Sequence, residues 1–134
     1  MKVNFYYGLG DKLSDYKALS KWMHIVSIDW NRPERVKSPK CDIAVGFSMG
    51  CYLAMDYAER HHVKKLILCS LPPTEKIFKN KADKIIFLMG SKEKYLLKHI
   101  RKVSSKKDMY VINGAGHRIN ANYRKRLLKI IKSD

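Results

Sequence analysis

The chain has 134 residues, a mass of 15.6 kDa and a formal charge of +16, from 28 Lys plus Arg against 12 Asp plus Glu. That length admits one domain, residues 1–134, and buries roughly two-thirds of the unfolded chain's surface, enough for a core without disulfides or a structural metal. With 46% hydrophobic and 30% charged residues and no internal period, disordered, collagen-like and repeat architectures are excluded.

Short apolar runs alternate with helical spacings along the chain. Val3–Tyr7 reads as a strand that stops at Gly8-Leu9-Gly10. Ser14–Trp22 predicts a helix, with Tyr16, Leu19 and Met23 on one side and Ser14 or Asp15 as its N-cap. His24–Ile28 is a second strand ending at Asp29-Trp30. Asn31–Lys40, with two prolines, is a loop or at most a short helical turn. Asp42–Phe47 is the third strand, and Met49–His61 the most regular helix. Lys65–Cys69 and Ile85–Met89 are continuous apolar runs, the pattern of strands covered on both faces. Between them Ser70–Lys84 is a connector. Lys94–Val103 is a helix, Met109–Ile112 the last strand, and Asn120–Lys132 the closing helix.

Strands alternating with helices predict an α/β fold: a three-layer α/β/α sandwich around a doubly wound, mainly parallel six-stranded sheet. In such sheets ligands bind beyond the carboxyl ends of the strands. Cys41, Cys51 and Cys69 are too few and too widely spaced for a disulfide framework or a zinc site, and read as buried free thiols. With no signal peptide and no run of about 20 apolar residues, the expectation is a cytoplasmic protein.

The third strand runs straight into Gly46-Phe47-Ser48-Met49-Gly50, and a helix rich in small residues leaves it. This G-x-S-x-G in a strand–turn–helix context is the pattern of a nucleophile elbow. Ser48 then stands at the head of a helix, where backbone N–H groups favour developing negative charge. A serine hydroxyl needs a base. Of five histidines, only His117, in Asn113-Gly114-Ala115-Gly116-His117, lies past a strand's carboxyl end. Its partner acid is Glu93, the first carboxylate after Ile85–Met89; Asp83 precedes that strand and so lies at the wrong end, and Glu75 is the other competitor. Oxyanion donors are the N–H of Met49 and that of Leu9, with Gly10 as the fallback.

Through Tyr7-Gly8-Leu9-Gly10, Asp29-Trp30, Gly46-Phe47-Ser48-Met49-Gly50, Gly90-Ser91-Lys92-Glu93 and Gly114-Ala115-Gly116-His117, the chain resembles the α/β-hydrolase fold superfamily over nearly its full length. The order Ser48, Glu93, His117 is that family's triad order. Glu93 stands where members commonly have Asp, and Tyr7 where they commonly have His before the oxyanion loop. Members usually have eight strands and often a cap; here the resemblance implies six, in the spatial order second, first, third, fourth, fifth, sixth, and no cap.

The resemblance implies a serine esterase that hydrolyses small carboxylic esters through an acyl-enzyme, with no cofactor and no metal. Its open site is expected to be bounded by Leu9, Met49, Leu71, Pro72, Ile77 and Phe78. Two alternatives follow from the charge. Thirteen basic and three acidic residues fall between Ser91 and Asp134, which suits an acyl ester or thioester carried on an acidic protein such as an acyl carrier protein. A basic binding module for nucleic acid on a hydrolase-like scaffold is the other, but no groove-reading or base-stacking motif accompanies the Arg124-Lys125-Arg126 helix. Solvated helix faces are the ordinary account of such charge. The sheet edge left by the missing strands also suits a homodimer.

Overall fold

The structure is a computed structural model that describes residues 1–74, 81–102 and 108–133. Six strands form one sheet: β1 (Val3–Tyr6), β2 (His24–Ile25), β3 (Ile43–Phe47), β4 (Val63–Cys69), β5 (Ala82–Gly90) and β6 (Met109–Ile112). Every pairing is parallel and the order is β2-β1-β3-β4-β5-β6. Both the α/β class and the strand order match the sequence reading. The reversal of direction between β1 and β3 puts connections on both faces of the sheet.

All five residues of β3 are buried, as is β4 apart from Lys64, because both faces are covered. On one face the ring of Tyr16 meets Phe5 at 4.9 Å, and Phe47 packs edge-on against Tyr123 of α3 (Ala121–Lys132). On the other lies α1 (Gly50–Arg60), which buries Gly50, Cys51, Ala54, Met55 and Ala58. The small side chains among them, at Gly50, Cys51, Ala54 and Ala58, let the helix approach the strands closely. A further helix, α2 (Lys94–Ile100), lies between β5 and β6 in the chain and buries Leu97 and Ile100.

Helix α3 shows how local sequence and tertiary contact divide the work. Asn120 caps its start, its side-chain oxygen accepting the Tyr123 N–H at 2.9 Å. Its end is capped from outside: Lys65 of β4, only 7% exposed, donates through Nζ to the carbonyl of Ile130 at 2.7 Å and to the carbonyl of Ser133. An ammonium at the negative end of a helix offsets the cost of burying the charge.

Several element bounds differ from the sequence reading. The segment read as a helix over Ser14–Trp22 is a 3-10 helix over Leu13–Leu19, interrupted at Tyr16, whose φ of −114° is not helical. Its first residue follows Lys12, so neither Ser14 nor Asp15 is the N-cap; Asp15 instead accepts the Lys12 N–H at 2.8 Å. The tyrosine is drawn off the helical path by its contacts with the sheet and with Asp11. The strand read as His24–Ile28 is shorter, because the side chain of Tyr7 takes over its hydrogen bonds. Tyr7 OH accepts the Ile28 N–H at 2.7 Å and donates to the Ile28 carbonyl at 3.1 Å. In the other direction, β5 starts at Ala82 rather than Ile85, its polar first turn paired with Val63–Lys65. Among the described residues no helix is long and apolar enough to cross a membrane.

Candidate active site

The chain leaves β3 at Phe47 and enters α1 at Gly50, turning through Ser48 with φ of +55°. A non-glycine residue in this region costs of order 1 kcal/mol or more and persists only when its surroundings hold it. They do: Ser48 N–H donates to the Cys69 carbonyl at 2.9 Å. A Cβ on Gly50 would fall 2.0 Å from the Tyr6 carbonyl oxygen, so only glycine fits where α1 crosses the end of β1. The outcome is a hydroxyl raised above the sheet at its carboxyl end.

Past β6, the loop bearing His117 is bolted to the turn that follows β5. Ser91 Oγ accepts the Gly114 N–H at 2.7 Å, and Lys92 N–H donates to the Ala115 carbonyl at 2.9 Å. A Cβ on Gly90 would meet that same carbonyl oxygen at 2.2 Å. These contacts bring together three residues separated by up to 69 positions. His117 Nε2 lies 2.8 Å from Ser48 Oγ, and His117 Nδ1 lies 2.7 Å from Glu93 Oε2. The Phe47 ring packs beside the imidazole, with centroids 5.3 Å apart.

Glu93 is 8% exposed, and its second oxygen is fully engaged. Oε1 accepts the Ser70 hydroxyl at 2.6 Å and the Gly90 N–H at 2.9 Å. Ser70, itself fully buried with φ of +51°, has the Tyr123 hydroxyl 2.9 Å from its Oγ, and the single phenolic proton is shared between that oxygen and the Leu88 carbonyl at 3.0 Å. Burial pushes the Tyr123 phenol well above its ordinary range, so it keeps its proton and remains a donor. Sequence reasoning missed Ser70 and Tyr123. Ser70 did carry a signal, since it is the first residue past the carboxyl end of β4.

The loop after β1 closes as a turn, with Asp11 N–H donating to the Gly8 carbonyl at 3.1 Å and Gly10 at φ of +83°. Asp11 Oδ2 accepts the Gly8 N–H at 3.2 Å and the Tyr16 hydroxyl at 2.5 Å. Burial, and secondarily Asp11, raise the Tyr16 phenol far above its usual value, fixing the proton on tyrosine. A Cβ on Gly8 would lie 3.2 Å from Ser48 Cβ, so this loop abuts the serine. Among the described residues the N–H groups of Leu9, Gly10 and Met49 have no hydrogen-bond partner. Asp11 was not singled out from the sequence.

A cleft of about 630 Å³ opens over Ser48 and His117, within the range of small-molecule sites. Its walls come from the β1 loop and the 3-10 segment (Leu9, Asp11, Tyr16, Leu19) on one side and from Arg118, Ile119 and Arg124 on the other. Of the wall expected from the β4–β5 connector, the described residues Leu71 and Pro72 are not part of this lining, and Leu71 is fully buried. Leu71 turns into the core just after Ser70, where the chain bends with φ of +51° and Glu93 and Tyr123 hold the serine side chain. Ile77 and Phe78, like Glu75, lie outside the described residues. The competitor Asp83 faces His62 Nε2 at 2.8 Å, among exposed side chains near the start of β5.

No protein-family model matches the chain, and no curated protein does. Among solved structures it is similar to the esterase PE8, with a TM-score of 0.60 and 15% identity over 97% of this chain and 90% of that one. It is also similar to the capsule O-acetyltransferase of Neisseria meningitidis serogroup A, with a TM-score of 0.60 and 12% identity over 99% of this chain and 88% of that one. The likeness shows the fold. It is an α/β fold with an all-parallel sheet, and among the described residues no cap is evident.

Proposed function

We propose that residues 1–134 form a single α/β-hydrolase domain that cleaves small carboxylic esters through an acyl-enzyme, with Ser48, His117 and Glu93 as its triad. One observation carries the reading: Ser48, on a strained turn at a strand's carboxyl end, lies 2.8 Å from an imidazole whose other nitrogen lies 2.7 Å from a buried carboxylate. The names of the two similar proteins, an esterase and an O-acetyltransferase, lend support.

Ser48 Oγ attacks the ester carbonyl while His117 Nε2 takes its proton. Glu93, fixed through Oε1, holds Nδ1–H and stabilises the imidazolium. The N–H groups of Met49 and Leu9, free of other partners, receive the oxyanion. His117 then returns the proton to the departing alkoxide, leaving an ester on Ser48. Water repeats the sequence with His117 as base and releases the acid.

The test is the turnover of p-nitrophenyl acetate and butyrate, with labelling by a fluorophosphonate. Ser48→Ala is expected to lose both, with a fall of at least about a thousandfold in kcat. Unchanged turnover in Ser48→Ala overturns the proposal.

A further inference from the structure

We propose that the cleft takes esters bearing an anionic group, a carboxylate or phosphate, which Arg118 and Arg124 bind. This rests on the reading of Ser48 as the nucleophile and adds the substrate's charge to it. Both arginines line the cleft together with Ser48 and His117. Among the described residues, neither takes part in an ion pair or a side-chain hydrogen bond. Each of the two carboxylates of the same cleft has its Oδ2 held by a neighbour. Asp11 accepts from Gly8 N–H and the Tyr16 hydroxyl, and Asp15 from Lys12 N–H. The cleft thus offers two arginines that pair with neither of its acids.

Position strengthens the case. Arg118 directly follows His117, and Arg124 follows Tyr123, whose hydroxyl reaches the Ser70–Glu93 pair. The same contacts that hold the imidazole therefore hold the two arginine backbones. Arg124 is half-buried against the cleft wall, where screening by water is weaker than in bulk. A guanidinium matches the two oxygens of a carboxylate or phosphate in a planar fork. The rest of the basic helix points elsewhere: Lys125, Arg126 and Lys129 line a separate groove beside β6, with Arg126 over the Tyr110 ring at 5.6 Å.

The experiment uses two matched pairs: the p-nitrophenyl monoester of adipic acid against its methyl ester, and 4-acetoxybenzoate against its methyl ester. The first pair puts the charge on the acyl part, the second on the alcohol part. Dissociation constants are measured at low ionic strength on the Ser48→Ala protein, which leaves the esters intact. The anionic member of at least one pair is expected to bind about tenfold more tightly than its neutral partner, the worth of one charge-assisted hydrogen bond. Adding Arg118→Gln and Arg124→Gln should bring the two members to within about twofold, while Lys125→Gln keeps the preference, because a local contact and not net charge sets it. Equal binding in both pairs overturns the proposal. So does a preference that Lys125→Gln removes as fully as the arginine changes do, since that reports the diffuse field used by an acidic macromolecular partner. Failure of the hydrolase reading is separate: it appears as wild-type protein that turns over none of the four esters.

Discussion

Ser70 and Glu93, 23 residues apart, meet through a buried hydrogen bond of 2.6 Å that occupies the carboxylate oxygen not used by His117. The bond ties the end of β4 to the turn after β5. Ser70→Ala leaves Glu93 with only the Gly90 N–H on Oε1. We expect kcat for p-nitrophenyl butyrate to fall about tenfold with KM little changed, since the loss is felt in the imidazolium-bearing transition state. Stability should drop by about 1–2 kcal/mol. Kinetics and urea titration of the same variant check both; an unaltered kcat would remove Ser70 from the site.

Asp11 holds the Gly8 N–H while the next amides of the turn stay free. Asp11→Ala releases that turn. The expected result is a loss of about 10- to 100-fold in kcat/KM, the scale of a misplaced oxyanion donor. Fluorophosphonate labelling of Ser48 should slow in parallel. Labelling at the wild-type rate would mean the turn contributes nothing to the reaction.

Gly50 tolerates no side chain, because the obstacle is the backbone of Tyr6 rather than a movable group. Gly50→Ala is expected to cost about 3 kcal/mol. A urea midpoint within error of the wild type would contradict the close approach of α1 to β1.

Lys65 joins β4 to the carboxyl end of α3. Lys65→Met keeps the stem and removes the charged donor, and should destabilise by about 2 kcal/mol. Hydrogen exchange should rise first in the last turn of α3. Uniform exchange across the chain would locate the effect elsewhere.

The buried thiols and phenols set an alkaline limit. Cys51 and Cys69 are fully buried and Cys41 nearly so, and burial raises all three; burial also pushes Tyr6 up to about 12 and raises Tyr123. The folded state keeps these protons where the unfolded chain releases them, so the unfolded state binds fewer protons above the ordinary thiol value of 9.0. Stability contributed by these groups is complete below pH 9 and is lost as pH rises from there toward about 12. Urea midpoints at pH 7, 9 and 10.5 test this; a flat series refutes it. The thiols should also resist alkylation at pH 8 until the protein unfolds.

What could be read from sequence was what period, composition and local punctuation encode. Within the runs Asp42–Phe47, Lys65–Cys69 and Ile85–Met89, the stretches Ile43–Phe47, Leu66–Cys69 and Ile85–Met89 are apolar throughout because strands covered on both faces need no polar side. The glycines around Ser48 mark a turn with no room for side chains. Helix α3 shows its buried stripe in Tyr123, Leu127 and Ile130 at helical spacing. Where side chains replaced backbone partners, local pattern failed. Tyr7 ended β2 early by taking the hydrogen bonds of Ile28, and Tyr16 left the helical path to reach Phe5 and Asp11.

Residue types past strand ends nominated Ser48, Glu93 and His117, yet spacing alone holds no distances. Whether those atoms meet depends on three turns clamped to one another: Gly50 under Tyr6, Gly90 under Ala115, and Ser91 on Gly114. The tertiary structure alone decided that Ser70 and Tyr123 stand behind Glu93, that Leu71 turns inward, and that the cleft opens toward Asp11, Arg118 and Arg124. Each of these joins residues distant in the chain through hydrogen bonds and packing, which carry no period and so leave no mark in a linear pattern.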